Sequence, residues 1–164
     1  MNYDMIVLVS KLRQVENMEQ LQEVKEFAES NKLKLCHWFT VDDLVYLKRG
    51  GRSSPTVAFV GNVLGIKPVL HVDNEGHLIN MFKVRGRRTA VSALADKLGE
   101  TALDPKGGTV YVSHADCMAD AEALSSILRE KYGATVDIIT NVGPVIGAHS
   151  GPGTLALFFV SKER

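Results

Sequence analysis

The residues best equipped for chemistry lie near the C-terminus. His149 and Ser150 sit at the centre of Gly143-Pro144-Val145-Ile146-Gly147-Ala148-His149-Ser150-Gly151-Pro152-Gly153, where four of eleven residues are glycine and two are proline. Glycine permits positive φ and close approach of backbone to a ligand. Exposed backbone N–H groups of this loop, an imidazole and a hydroxyl together suit an anionic oxygen, either carboxylate or phosphate. The imidazole donates more strongly to such an oxygen when protonated. The plain alternative is a ligand-free tight connection in which His149 bonds a backbone carbonyl.

Two basic clusters come next. Lys83, Arg85, Arg87 and Arg88 gather around Gly86. Arg85 and Arg87 fall on one side if a strand continues through them. Such clusters suit phosphate or nucleic acid, or are simply a solvated strand end. A net charge of zero, from 19 basic and 19 acidic residues, and the lack of an interleaved aromatic face argue against nucleic acid. Lys48-Arg49-Gly50-Gly51-Arg52 is a second basic turn. Its glycine pair ends a helix, and Arg49 and Arg52 either stay in water or border a ligand mouth.

Other candidates are weaker. Asp42 and Asp43 are adjacent, so their side chains diverge, and Asp at a helix start is ordinary capping. His37, His71, His77 and His114 show no zinc spacing, so no metal is expected. Cys36 and Cys117 form no C-x-x-C pair and read as core thiols. There is no G-x-S-x-G elbow and no phosphate-binding P-loop. No apolar run approaches the roughly 18 residues that span a bilayer. Met5 to Val9 is too short for a signal-peptide core and lacks a basic flank. The expectation is a cytoplasmic protein with no integral membrane contact.

These side chains need a scaffold, and 164 residues suffice for one domain with a sizeable core. Asn17 with Gln20 makes a loose capping box, followed by Met18, Leu21, Val24 and Ala28 on one helical face. Leu35 to Thr40 reads as a strand. A short helix through Leu44 and Leu47 closes at Gly50. Ser54-Pro55 opens a helix ending at Gly65, and no charge occurs from Ser53 to Ile66. Such a helix must face a core, a ligand or a partner.

Lys67 to Val72 and His77 to Arg85 read as a hairpin joined at 73–76. Thr89 caps a helix carrying Val91, Leu94, Ala95 and Leu98. Thr109 to Ser113 is a strand. Asp116 caps a helix with Ala121, Leu124, Ile127 and Leu128 on one face, stopped by Gly133. Thr135 to Thr140 is a strand, and the glycine loop leads into Leu155 to Val160, a buried strand. The class is α+β (α/β-like): a single mixed sheet of about six strands with helices packed on it.

Three stretches carry a family resemblance. Gly143 to Gly153 with the apolar strand after it closely resembles the C-terminal signature of the DegV family of bacterial fatty-acid-binding proteins. Phe39-Thr-Val-Asp-Asp-Leu-Val-Tyr-Leu-Lys-Arg-Gly-Gly-Arg52 and Gly65-Ile-Lys-Pro-Val-Leu, running on to Lys83-Val-Arg-Gly-Arg-Arg88, resemble the same family in the same order. The resemblance runs from about residue 35 to the C-terminus. Family members are two-domain chains of nearly twice this length. Their N-terminal domain, whose serine- and threonine-bearing loops help hold the lipid carboxylate, is expected to have no counterpart here. The expected division is 1–34 as residual linker or helix and 35–164 as the lipid-binding domain, a truncated form.

The resemblance implies a carrier rather than an enzyme, with no cofactor. It would bury a long-chain fatty acid and present the carboxylate to a separate fatty-acid kinase, which makes an acyl phosphate for phospholipid metabolism. His149, Ser150, Gly147, Gly151 and Ile146 would meet the ligand. Arg85, Arg87 and Arg88 would meet the kinase or the phosphate, and Arg49 and Arg52 would border the mouth. The 54–65 helix with Val145 and Ile146 would wall the tunnel, where each buried CH₂ contributes on the order of 0.8 kcal/mol. Exposed for want of a second domain, that wall would drive self-association. The alternatives are a small-anion enzyme using His149 as general acid or base and an inactive scaffold.

Overall fold

A computed structural model describes residues 12, 14–51 and 65–162 of the chain. The expected helix over 54–65 falls almost wholly outside these residues, as do Arg52 and the run from Met5 to Val9.

The described elements run in the order α1 (Met18–Asn31), β1 (Leu35–Thr40), α2 (Val45–Arg49), β2 (Ile66–Val72), β3 (Leu78–Arg85), α3 (Arg87–Thr101), β4 (Thr109–His114), α4 (Met118–Tyr132), β5 (Thr135–Asn141), α5 (Pro144–Ser150) and β6 (Leu155–Val160). Six strands form one mixed sheet in the order β3-β2-β1-β6-β4-β5. Neighbours are antiparallel except β4 and β5, which run parallel with α4 as their crossover. The class expected from the sequence is the class observed.

Alternation along the strands divides the side chains between two faces. One face carries Trp38, Val69, Val112, Leu157 and Phe159, packed under Val91, Leu94 and Leu98 of α3 and Leu124 and Leu128 of α4. The other carries Phe39, Leu70, Tyr111, Ala156 and Phe158, with Leu47 of α2 packed among them. The first is a conventional helix-on-sheet core. The second is met near one end by the short helices α2 and α5.

Local chemistry explains most boundaries. Asn17 caps α1 by accepting from the Gln20 amide at 3.0 Å. Gln20 reaches back to the Glu16 amide at 2.7 Å, one residue outside the usual capping box. No residue of α1 is buried, and Met18 is 77% exposed, so the expected apolar face of this helix has no cover among the described residues. In the hairpin turn, Asp73 Oδ1 accepts from the Glu75 and His77 amides at 3.0 and 2.8 Å, and Gly76 takes φ 87°.

The strand ends at Arg85, as read from the sequence, so Arg85 and Arg87 do not share one side of a continuing strand: Gly86 at φ 92° turns the chain, and Arg87 opens α3. Three expectations need correction. Thr89 lies inside α3, with Gly86 at its N-cap, and Cys117 rather than Asp116 occupies the N-cap of α4. The glycine-rich stretch before β6 is not an irregular loop. Pro144 at the first position nucleates the seven-residue helix α5 between Gly143 and Gly151, overriding the poor propensity of Gly147. His149 stands in its last turn.

Candidate functional site

The second sheet face carries a groove of about 350 Å³. Phe39, Ala156 and Phe158 form its floor, Val72 and Leu78 of the hairpin line it, and Val145 and Ile146 project from α5 beside it. Val145 and Ile146 are 69% and 52% exposed, so the groove opens among apolar side chains. Polar groups gather where β6 begins: His149, Ser150 and Thr154, with Ser113 from β4. Further along, His37 stands edge-on to Phe158 with ring centroids 5.5 Å apart.

The two glycine-bearing motifs interlock to build the polar end. A Cβ on Gly50 would overlap the His149 imidazole, so that glycine makes room for the ring. Its φ is −77°, and the left-handed position of the pair belongs to Gly51 at +66°. Likewise, a Cβ on Gly151 would overlap the Tyr46 ring, and one on Gly153 would overlap the Asp42 carboxylate. The stretch 42–50 and the stretch 149–153 are thus pressed backbone to side chain, and the position of His149 is fixed by that contact.

The expected cradle of glycine amides gives way to this packing. Gly147 donates its N–H to Gly143 at 2.9 Å, and Gly151 donates to Gly147 at 2.8 Å, so both amides are spent within α5. Ser150 is 4% exposed and lines the groove, but its hydroxyl donates to the Ile146 carbonyl at 2.8 Å. Ile146 and His149 line the groove. Ser113, Thr154 and His37 went unrecognised in the sequence. Alternation within β1 and β4 could have pointed to His37 and Ser113, but it does not say which face lies open, and Thr154 precedes β6 outside any alternating pattern.

The basic residues separate. Arg85 and Arg88 are exposed, at the end of β3 and in the first turn of α3; Arg49 is exposed in the last turn of α2. Arg85 pairs with Ile66 and Lys83 with Pro68, and their alternation with Phe82 and Val84, which pack on the α3 side, turns both toward the groove face. Arg87 is different. Its Nε donates to Asp120 at 2.8 Å, Nη1 lies 3.5 Å from Asp42, and Nη2 points at Cys117 Sγ at 3.6 Å. Asp42 in turn pairs with Lys67 at 2.7 Å. Arg87 thereby ties α3 to α4 and to the chain after β1. Burial pushes the Cys117 thiol up, opposed by the adjacent guanidinium.

Asp73, Glu75 and His77 place one ligand atom each within 4.8 Å in the hairpin turn. Capping of the turn already accounts for Asp73. No helix among the described residues is long and apolar enough to cross a membrane.

Comparison with known proteins matches the family model described as "Uncharacterised protein, DegV family" over residues 2–162. A DegV domain-containing protein of Clostridium perfringens is 44% identical over 146 residues, covering 89% of this chain and 50% of that one. A fatty acid-binding protein of Thermotoga maritima is 40% identical over 126 residues, covering 77% of this chain and 43% of that one. The crystal structure of a DegV lipid binding protein from Thermotoga maritima superposes with a TM-score of 0.75 at 34% identity, covering 98% of this chain and 55% of that one. The chain spans about half the length of the curated relatives it matches.

Proposed function

The chain belongs to the DegV family, and from that membership and its open groove we propose that it holds a long-chain fatty acid as a carrier, without catalysing a reaction itself. One observation carries the reading: an apolar trough on the less covered sheet face has His149 and three hydroxyl residues at one end. An acyl chain matches the trough, since every methylene buried there contributes about 0.8 kcal/mol. An imidazole beside hydroxyls matches a carboxylate. The relatives named as fatty-acid or lipid binding support the same ligand class. The lipid-binding unit is residues 35–164; α1, which buries nothing, lies outside it.

The partner in this proposal is a fatty-acid kinase that phosphorylates the presented carboxylate. Arg85 and Arg88 suit its docking, because both are exposed at the turn where β3 meets α3. Arg87 serves mainly as the tie between helices. Changing Arg85 and Arg88 together to alanine should lower acyl-phosphate formation roughly tenfold by removing charges that steer encounter. Bound palmitate should be unchanged, and a parallel loss of lipid would contradict this assignment.

Among the described residues, Val145 and Ile146 leave the groove open on one side. The 164-residue chain alone is therefore expected to bind palmitate at least about tenfold more weakly than the longer Thermotoga maritima lipid binding protein, a difference of roughly 1.4 kcal/mol. It should also self-associate through the apolar face. Calorimetric titration and light scattering measure the two. A monodisperse monomer that binds palmitate as tightly as the longer protein would refute both expectations. Absence of any saturable binding would overturn the carrier reading itself.

A further inference from the structure

We propose that Ser113 is a second ligand-binding donor, its hydroxyl donating a hydrogen bond to the carboxylate that His149 meets; this rests on the fatty-acid reading above. Ser113 lies in β4 opposite Ala156, which is itself opposite Phe39, so the three share one row across the groove floor. Alternation puts the Ser113 side chain on the face of Tyr111 and Ala156, not on the face under α3 and α4.

Among the described residues, three hydroxyl side chains line the groove: Ser113, Ser150 and Thr154. Ser150 donates to the Ile146 carbonyl at 2.8 Å, and Thr154 donates to the Gly151 carbonyl at 2.7 Å. Their protons are committed to holding α5 and the turn after it. Ser113 is 4% exposed, lines the groove, and its hydroxyl has no hydrogen bond among the described residues. The Ser113 oxygen is not sealed off like the fully enclosed unpaired atoms at Thr40 or His114; it keeps surface open to the groove it lines, where an incoming oxygen can replace water as its partner. A ligand oxygen at the polar end of the groove is positioned to accept a hydrogen bond from the Ser113 hydroxyl.

A carboxylate is the oxygen this donor fits. Its lone pairs can accept from an imidazole and a hydroxyl together, and a charge-assisted bond is roughly twice as strong as a neutral one. The nonpolar row beyond, Ala156 and Phe39, then receives the first methylenes. Ser113 thus marks where head meets tail.

The test compares palmitate with methyl palmitate on the whole 164-residue chain and its Ser113→Ala and Ser113→Thr variants. Ser113→Ala should weaken palmitate roughly tenfold or more, the usual scale for a hydrogen bond to a charged group, while methyl palmitate changes less than about twofold. Ser113→Thr keeps the hydroxyl and should retain most palmitate affinity. Equal weakening of both ligands by Ser113→Ala, or none, would overturn the proposal while leaving the carrier reading intact. A wild-type chain that binds neither ligand would remove the carrier reading and this proposal with it. Thermal unfolding of each variant separates loss of fold from loss of the donor.

Discussion

Tryptophan in place of Ala156 should weaken palmitate binding roughly a hundredfold without unfolding the protein. Ala156 is the small residue in a floor otherwise made by Phe39 and Phe158. It lies in the middle of the sheet, paired to Phe39 on one side and Ser113 on the other. An indole there stands up into the groove, and aromatic residues are well tolerated in strands. Filling about four methylenes' worth of trough, at about 0.8 kcal/mol each, removes about 3 kcal/mol, roughly a hundredfold in affinity. Calorimetry measures the loss, and circular dichroism with urea unfolding checks the fold. Affinity within about threefold of wild type would mean that the acyl chain lies elsewhere.

The second large effect is on stability. Gly153→Ala should destabilise the protein by about 2–5 kcal/mol, the sum of left-handed strain and overpacking. Gly153 sits at φ +76°, and the added methyl group would overlap Asp42, whose carboxylate is held by Lys67 at 2.7 Å. Gly50→Ala separates the two costs. With φ at −77° it carries no left-handed strain, so its effect comes from displacing the His149 ring. It should cost less stability than Gly153→Ala and still weaken palmitate. Urea unfolding reads both; a loss below about 0.5 kcal/mol for Gly153→Ala, the size of an ordinary surface change, would show that Asp42 yields freely.

Much of the scaffold was legible because local rules agreed with the fold. Asn17, Gly50 and Gly133 mark helix ends by the chemistry that ends helices, and the hairpin turn at 73–76 is where Asp and Gly place it. The groove was less legible, and the reason is periodicity. Leu155 to Val160 is apolar at every position, so alternation cannot say that Ala156 and Phe158 face the groove while Leu157 and Phe159 face the helices. That division depends on where α3 and α4 pack.

The glycines misled for a related reason. Their density suggests a phosphate-style loop, whereas Gly50, Gly151 and Gly153 all make room for a side chain from the other motif, Gly151 and Gly153 at positive φ besides. Such a requirement is tertiary and leaves no mark on spacing. Arg87 is the same kind of case: adjacent to Arg88 in sequence, it turns inward to Asp120 because Gly86 ends the strand before it.

The central claim is that the acyl chain lies along Phe39, Ala156 and Phe158 with its carboxylate at His149. Intermolecular nuclear Overhauser contacts between uniformly ¹³C-labelled palmitate and the 164-residue chain test it most directly. The groove predicts methylene contacts to the rings of Phe39 and Phe158 and to the Ala156 methyl, and contacts from the C2 methylene to the His149 ring. Contacts confined to α1, or to the face covered by α3 and α4, would contradict it.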